Sequence, residues 1–374
     1  MNIVKHYKLE DAIFLKDILT RDKNNFDIIR LFSALVVIFG HSFYLFPTGG
    51  YQEPVTMVLK NNFSGTFSVG VFFFISGILV TKSFLSNQST LRYIAFRLAR
   101  IVPGIFVCIT ILAFIVGPAV SKLPISEYFF GYPLYCYWVQ NSTVAWIVSF
   151  WNYCSSIPGA FDSNIFPNAP NGSLWTIRPE IVCYTYILFA GFLGLLKNSL
   201  RINISIALIL ITHFIWPHAL PYFWDDVIYS DILKVGLFFT AGVFAYSIRN
   251  YLVIRFIYIL PMVFIVSLIK NEEIREYFLY ATFFYAVLVI AAWDKLLTFR
   301  LPGDYSFGVY IYGWPIQQCL NHFWPGITSL PSNLICLPLA LLAGWLSWNL
   351  IERPFLIWIH NLINLRRPQK VNPP

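Results

Sequence analysis

Ten apolar runs of near-membrane length follow one another along the chain, at roughly residues 27–46, 66–85, 101–118, 175–196, 202–217, 231–248, 254–270, 277–293, 304–323 and 333–352. A helix needs about 20 predominantly apolar residues to cross a bilayer, so each run predicts one spanning helix. The polar connections carry a second pattern. Lys5, Lys8, Lys16, Arg21 and Lys23 precede the first run, and Arg92, Arg97 and Arg100 follow the second. Lys197 and Arg201 follow the fourth, Arg249 and Arg255 the sixth, Lys295 and Arg300 the eighth, and Arg353, Arg366, Arg367 and Lys370 the tenth. The alternate connections hold only Lys60, Lys122, Lys270 and Arg275. Basic residues mark cytoplasmic loops, so the alternation predicts an all-α polytopic membrane protein of about ten transmembrane helices with both termini cytoplasmic.

Three stretches lie outside the runs. Residues 7–20 read as an amphipathic helix on the inner membrane surface, with Leu9, Ile13 and Leu19 on one side. The connection from about 119 to 174 holds an aromatic stretch, Tyr128–Tyr153. Counting it as an eleventh span would place every later basic loop outside, so it is read as an external loop with interfacial or re-entrant pieces. Such a loop is either a dock for a large extracytoplasmic substrate or a lid packed on the helices. The organisation is then a cytoplasmic N-terminal segment (1–25), a membrane domain (26–354) and a basic, Pro-containing cytoplasmic tail (355–374).

Composition agrees with the pattern: 57% of residues are hydrophobic, 19% aromatic and 12% charged, with mean hydropathy +0.64. A soluble globule carries about a quarter charged residues. The net charge of +8 would suit nucleic acid, but the basic residues flank apolar runs, where they set orientation, so no nucleic-acid partner is expected. Residues 1–25 contain no short apolar core before a small-residue site, so no cleavable signal is expected. Cys108, Cys183, Cys319 and Cys336 read as small hydrophobes, whereas Cys136 and Cys154 share the external loop and are a candidate disulfide whose geometry spacing leaves open. Zinc-type Cys/His spacing, a Gly-rich phosphate loop and a G-x-S-x-G elbow are all missing from the sequence, and no metal is expected.

Candidate chemistry begins in the first run. Arg30 and His41 stand in the apolar stretch Ile28–Phe46, whose only other ionisable side chain is Tyr44. At ~100° per residue, eleven residues return the helix to within ~20° of its starting face, so the two share a face ~16 Å apart along the axis. An ionisable group inside a bilayer is costly and marks a functional pathway by default. The plain alternative is an arginine snorkelling to the inner headgroups and a core histidine.

Several local patterns then converge. Phe26-Asp27-Ile28-Ile29-Arg30, with Gly40-His41-Ser42 ten residues on, resembles the first-helix motif of the membrane-bound acyltransferase 3 family. Gly70–Gly77 is similar to that family's aromatic segment ending in Ser-Gly, and Arg97-Leu98-Ala99-Arg100-Ile101-Val102-Pro103 to its R-x-x-R…P motif. Ser173-Leu174-Trp175-Thr176 with Glu180 and Tyr184 resembles its S-L-W-T…E…Y motif. Asp304–Tyr312 and Glu352-Arg353-Pro354 resemble the last two. The resemblance covers about 26–354. One departure is clear: many members have a histidine shortly after the Tyr-x-Tyr element, where this chain has Gly313-Trp314-Pro315.

The resemblance implies an enzyme of the bacterial inner membrane that transfers an acyl group, usually acetyl, from cytoplasmic acyl-CoA to a hydroxyl of an extracytoplasmic glycan, O-antigen or another surface polysaccharide. On that reading His41 is the general base, because imidazole titrates near working pH. Glu180 orients it; the competing role for Glu180, a pair with Arg178 at i−2, is disfavoured because such positions do not face each other on a helix. Arg30, Arg97 and Arg100 meet the phosphates of the donor, the alternative for the last two being inner-face anchoring. Trp175, Trp314 and Tyr184 are candidates for the acceptor sugar. His213, His218 and His322 are weaker candidates near the outer surface, and Asp27 is expected to pair with Arg30, and Lys234 with Asp231, at i+3. The rivals are a transporter or flippase for a glycan or lipid-linked sugar, which predicts interrupted helices in two halves and a midplane ion site, and a non-catalytic subunit of a polysaccharide assembly complex.

Overall fold

The computed structural model describes residues 13–60, 62–86, 89–143, 154–215 and 226–365. Its main elements in chain order are β1 (Ile13–Phe14), α1 (Phe26–Leu45), α2 (Ser64–Ser86), α3 (Thr90–Ile111), α4 (Ile177–Phe192), α5 (Ser199–Ile215), α6 (Asp226–Ser247), β2 (Val253–Ile254), α7 (Ile259–Leu268), α8 (Glu272–Ala291), α9 (Ser306–Phe323), α10 (Ser329–Ser347) and α11 (Arg353–Leu365). Among the described residues, five helical segments are long and apolar enough to cross a membrane: Phe26–Leu45, Ser64–Ser86, Thr90–Val120, Glu272–Ala291 and Ser329–Ile363. Shorter apolar helices cover Ser199–Leu208, Leu233–Ser247 and Phe256–Leu268. The protein is therefore a predominantly helical, multi-pass membrane protein.

Two of the long segments contain single π turns, Leu112–Val116 and Trp348–Glu352, that carry them past their regular ends. The second takes the last apolar helix beyond residue 352 into α11. Insertions of this kind are frequent at functional sites.

The chain forms two compact units: residues 1–33, 62–86 and 179–304, and residues 34–61, 87–178 and 305–374. In the first unit, α2 and α6 approach closely through glycine. A Cβ at Gly77 would strike the Phe239 carbonyl oxygen, and one at Gly242 the carbonyl oxygen of Phe74. Small residues let helix backbones approach where lipid supplies no hydrophobic drive for association. Phe74 stacks on Phe284 of α8 at 4.6 Å, and Phe238 meets the same ring edge-on at 5.2 Å. Because the atoms facing Gly77 are backbone, no rotamer relieves a clash. Gly77→Ala is expected to lower stability by about 1–3 kcal/mol. Gly236→Ala on the open face of α6, where a Cβ meets nothing within 4 Å, is expected to be neutral or stabilising. Thermal unfolding in detergent checks the pair.

The N-terminal segment corrects the expected helix over 7–20. Ile13 and Phe14 pair antiparallel with Ile254 and Val253, and Leu15–Ile18 forms a 3-10 turn with Leu15 and Ile18 buried. The Leu15 and Lys16 amides donate to the carbonyls of Leu252 (3.0 Å) and Arg249 (3.1 Å). These external backbone acceptors replace the bonds a helix would have made within itself. Residues 7–12 of that expectation lie outside the described residues. Asn25 fastens the start of α1 in the same unit, its amide donating to the carbonyls of Ile290, Ala291 and Trp293.

In the second unit, α9 and α10 cross at Gly308 and Gly344, whose close approach leaves 2.8 Å between a Cβ built at Gly308 and the Gly344 Cα. Among its described residues the connection from 119 to 174 contains the short α-helices Ile125–Phe130 and Tyr132–Ser142, neither of spanning length. The second packs on α3, where Trp138 donates to Thr110 Oγ1 at 3.0 Å. Residues 144–153 of the aromatic stretch lie outside the described residues. Cys136 and Cys154 form a disulfide, with 5.9 Å between their Cα atoms. The tail beyond Leu365 is likewise outside the described residues.

Candidate active site

His41 lies late in α1, in the second unit. Its face of the helix is the buried one, since Ala34, Val37, Ile38 and Leu45 are all buried while Phe32 is 66% exposed. The imidazole meets Trp314 of α9 edge to face, with ring centroids 5.0 Å apart and planes at 83°. Trp314 is itself fixed: its indole N–H donates to the Ala169 carbonyl at 2.8 Å, and Phe166 packs on it at 5.6 Å. Gly172 permits that placement, because a Cβ there would come within 2.7 Å of the indole. Beside His41 in the chain, Ser42 accepts a bond of 2.7 Å from Asn333 of α10, and one turn earlier the Ile38 carbonyl accepts from Gln317 of α9 at 2.8 Å. The stretch of α1 around His41 is thus tied to α9 through its backbone and to α10 through the Ser42 side chain.

Residues 154–176 are bound to α9 by side-chain amides. Asn164 donates to the backbone carbonyl and the side-chain oxygen of Gln318 at 2.9 and 2.7 Å. Gln318 in turn donates to the carbonyls of Phe166 and Ala169. Asn171 caps Ser173 and donates to the Ile311 carbonyl at 2.9 Å. Proline at 315 removes one helical N–H, and Pro-containing spans recover such lost bonds through neighbouring polar side chains. Ser173, Leu174 and Thr176 of the S-L-W-T sequence are buried, and Thr176 shares a 3.0 Å hydrogen bond with Tyr310 of α9. Trp175 is 37% exposed.

Two of the three arginines named from the sequence, Arg30 and Arg100, have carboxylate partners that the sequence alone did not assign. In the first unit Arg30 bonds Asp304 at 2.6 Å, with Phe72 below the guanidinium at 5.7 Å. Asp27 bonds Arg21 instead, at 2.7 Å, which corrects the expected Asp27–Arg30 pair. The longer reach to Asp304 wins because it gives a largely desolvated arginine a short charge-assisted bond. In the second unit Arg100 bonds Glu352, which is fully buried, at 2.8 Å. Its guanidinium also lies between the rings of Phe307 and Trp348 at 5.5 and 5.4 Å. Arg97, one turn earlier, lies beside Tyr93 at 6.0 Å. The signal for both partners was present in the sequence: a carboxylate at the edge of an apolar run has to find a cation.

Glu180 and Tyr184 stand on α4 in the first unit and are joined, the tyrosine hydroxyl donating to the carboxylate one turn back. Glu180 also lies in the first turn of α4, where the positive end of the helix dipole favours a carboxylate. The structure thus brings together His41 with Trp314, Glu180 with Tyr184, Arg30 with Asp304, and Arg100 with Glu352. It does not bring Trp175 to Trp314's ring pair. Lys234 bonds Glu276 of α8 at 2.9 Å. His322 packs edge-on against Phe161 and Phe323, while the side chains of His213, His218 and Asp231 are not described.

The pairs Arg30–Asp304, Arg100–Glu352 and Glu180–Tyr184 each join residues of the motifs quoted from the sequence, and comparison with known proteins gives the motifs a common source. The chain is 28% identical to an O-acetyl transferase of Shigella phage Sf6 over 346 residues, 89% of this chain and 96% of that protein. It is 32% identical to nodulation protein 10 of Rhizobium leguminosarum bv. viciae over 166 residues, 43% of this chain and 42% of that one. No solved structure matches. The family model described as an acyltransferase domain matches residues 23–349, and on that span the chain belongs to the membrane-bound acyltransferase 3 family.

Proposed function

We propose that this acyltransferase moves an acetyl group from cytoplasmic acetyl-CoA to a hydroxyl of an extracytoplasmic glycan, O-antigen or another surface polysaccharide, at the bacterial inner membrane. The observation that carries the reading is His41: an imidazole in an apolar helix, gripped by Trp314 on a helix segment tied to α9 and α10. The near end-to-end likeness to a protein named O-acetyl transferase supports acetyl as the group and oxygen as the acceptor atom. Ten spans with both termini cytoplasmic follow from the alternation of basic loops. They set Arg30, Arg97 and Arg100 towards the inner face and His41 near the outer one.

The chemistry assigned to each residue follows. His41 takes the proton of the acceptor hydroxyl as its oxygen forms a bond to the thioester carbonyl. The carbon–sulfur bond then breaks, and the imidazolium returns the proton to the leaving thiolate. Glu180, held by Tyr184, is the carboxylate proposed to orient the imidazole and stabilise its charged form. The three arginines supply charge-assisted bonds to the donor's phosphates. Trp175 and Trp314 offer faces for a sugar ring, and Tyr184 a hydroxyl.

Membranes containing the protein, given acetyl-CoA labelled in the acetyl group and an envelope glycan fraction, are expected to place label on the glycan. The label should be released by mild base, as an ester is. Glycan movement across the membrane without label on it would instead identify a transporter.

A further inference from the structure

The first unit contains a cavity to which His41, Glu180 and the three arginines contribute nothing. About 840 Å³ in volume, it opens between α5, α6 and α8. That is within the roughly 300–1,000 Å³ of small-molecule sites. Its long wall is apolar, formed by Ile206, Leu237, Ala241, Phe244 and Phe284. Along α6 the lining runs from Lys234 to Phe244, ten residues or ~15 Å. That length is about half the ~30 Å hydrocarbon core, the depth of one leaflet.

One end is different. Lys234 bonds Glu276 at 2.9 Å and the Asn62 side-chain oxygen at 3.2 Å. The amide of Asn62 and the hydroxyl of Tyr280 both donate to Glu276, at 3.2 and 2.8 Å. Glu273 joins the lining beside them. Lys234 and Glu276 remain 29% and 25% exposed, so the network reaches the cavity and is not sealed in the packing. Ionisable residues at membrane depth mark substrate sites by default. Among the described lining residues the two carboxylates outnumber the one lysine, which disfavours the phosphate of an ordinary phospholipid. A cluster that mixes N–H and O–H donors with carboxylate acceptors matches neutral sugar hydroxyls, each both donor and acceptor.

We propose that this cavity binds a neutral glycolipid, its apolar chain along the α6 wall and its sugar at the Lys234–Glu276–Asn62–Tyr280 end. The inference rests on the glycan-acceptor reading and sharpens it: the acceptor glycan reaches the enzyme carried on a membrane lipid. By the basic-loop alternation, the ends of α6 and α8 that hold the polar cluster face outward, the side on which that acceptor lies.

Photolabelling of the full-length protein in detergent tests it without any acyl donor, so failure of acetyl transfer and failure of this site are separable. The probe is a dodecyl glucoside with a diazirine in its alkyl chain. Label is expected on the α6 segment around Ala241 and Phe244. Unlabelled dodecyl glucoside is expected to compete at least 10-fold better than dodecanol or dodecyl phosphate. Ala241→Phe, and independently Ala281→Leu on the facing helix, should abolish the label, and a Lys234→Met/Glu276→Met double variant should remove the preference for sugar. Equal competition by all three amphiphiles would mean a surface wetted by bilayer lipid and would overturn the proposal. So would label spread evenly over other helices.

Discussion

Membranes carrying His41→Ala are expected to transfer labelled acetyl to glycan about 10²–10⁴-fold more slowly than wild type, the range that loss of a general base costs. The protein should still be made and inserted. Alanine is the best helix former, so α1 keeps its backbone. The ties at Ile38 and Ser42 do not involve the imidazole, and Trp314 retains its bond to Ala169. What disappears is the single imidazole of α1. The measurement is initial rate of base-labile label on glycan, with detergent size-exclusion chromatography showing equal amounts of folded protein. A rate within a few-fold of wild type would remove His41 from the chemistry and return it to packing against Trp314. Trp314→Phe is the useful companion. It keeps an aromatic neighbour for the imidazole but loses the bond to Ala169, so it reports on positioning where His41→Ala reports on proton transfer.

Much of this arrangement was legible in the sequence because membranes restrict what a sequence can mean. The runs at 27–46, 66–85 and 277–293 reappear within a few residues as α1, α2 and α8, since an apolar stretch of that length has few stable alternatives to a helix. Arg30 and His41 were visible for the same reason, being ionisable where little else is. The order of the motifs carried the family. Features that depend on partners distant in the chain were illegible. Asp304 and Glu352 could be seen as carboxylates, but their choice of Arg30 and Arg100 is decided by which helices pack together. Residues 13–18 failed as a helix because Ile254, Leu252 and Arg249, more than two hundred residues away, offer their backbones instead. Local amphipathic spacing cannot register such a competitor. The π turn at Trp348–Glu352 is another case. It rotates the end of α10 so that Glu352 lies wholly inside, where a Ser347 hydroxyl reaches it at 2.9 Å.

That buried carboxylate makes the second large effect. Breaking a buried ion pair from one side strands a charge and costs about 3–5 kcal/mol, whereas replacing both partners by apolar side chains of similar size is often neutral or stabilising. Glu352 is fully buried, bonded to Arg100 at 2.8 Å and to Ser347, and Arg100 is enclosed by Phe307 and Trp348. Arg100→Met and Glu352→Met are therefore each expected to lower stability by about 3–5 kcal/mol, a fall read as a drop in melting temperature. The Arg100→Met/Glu352→Met double variant should recover most of it. Activity then separates two duties of one guanidinium. The Nη1 of Arg100 donates to Glu352 at 2.8 Å, and the second duty proposed for the same guanidinium is a charge-assisted bond to a donor phosphate. With Arg100 in the donor site as proposed, the recovered double variant keeps a raised KM for acetyl-CoA with little change in kcat. Arg97→Met is expected to raise KM in the same way. Recovery of both stability and KM in the double variant would confine Arg100 to holding α3 against the π turn, leaving Arg97 and Arg30 as the cations for the donor.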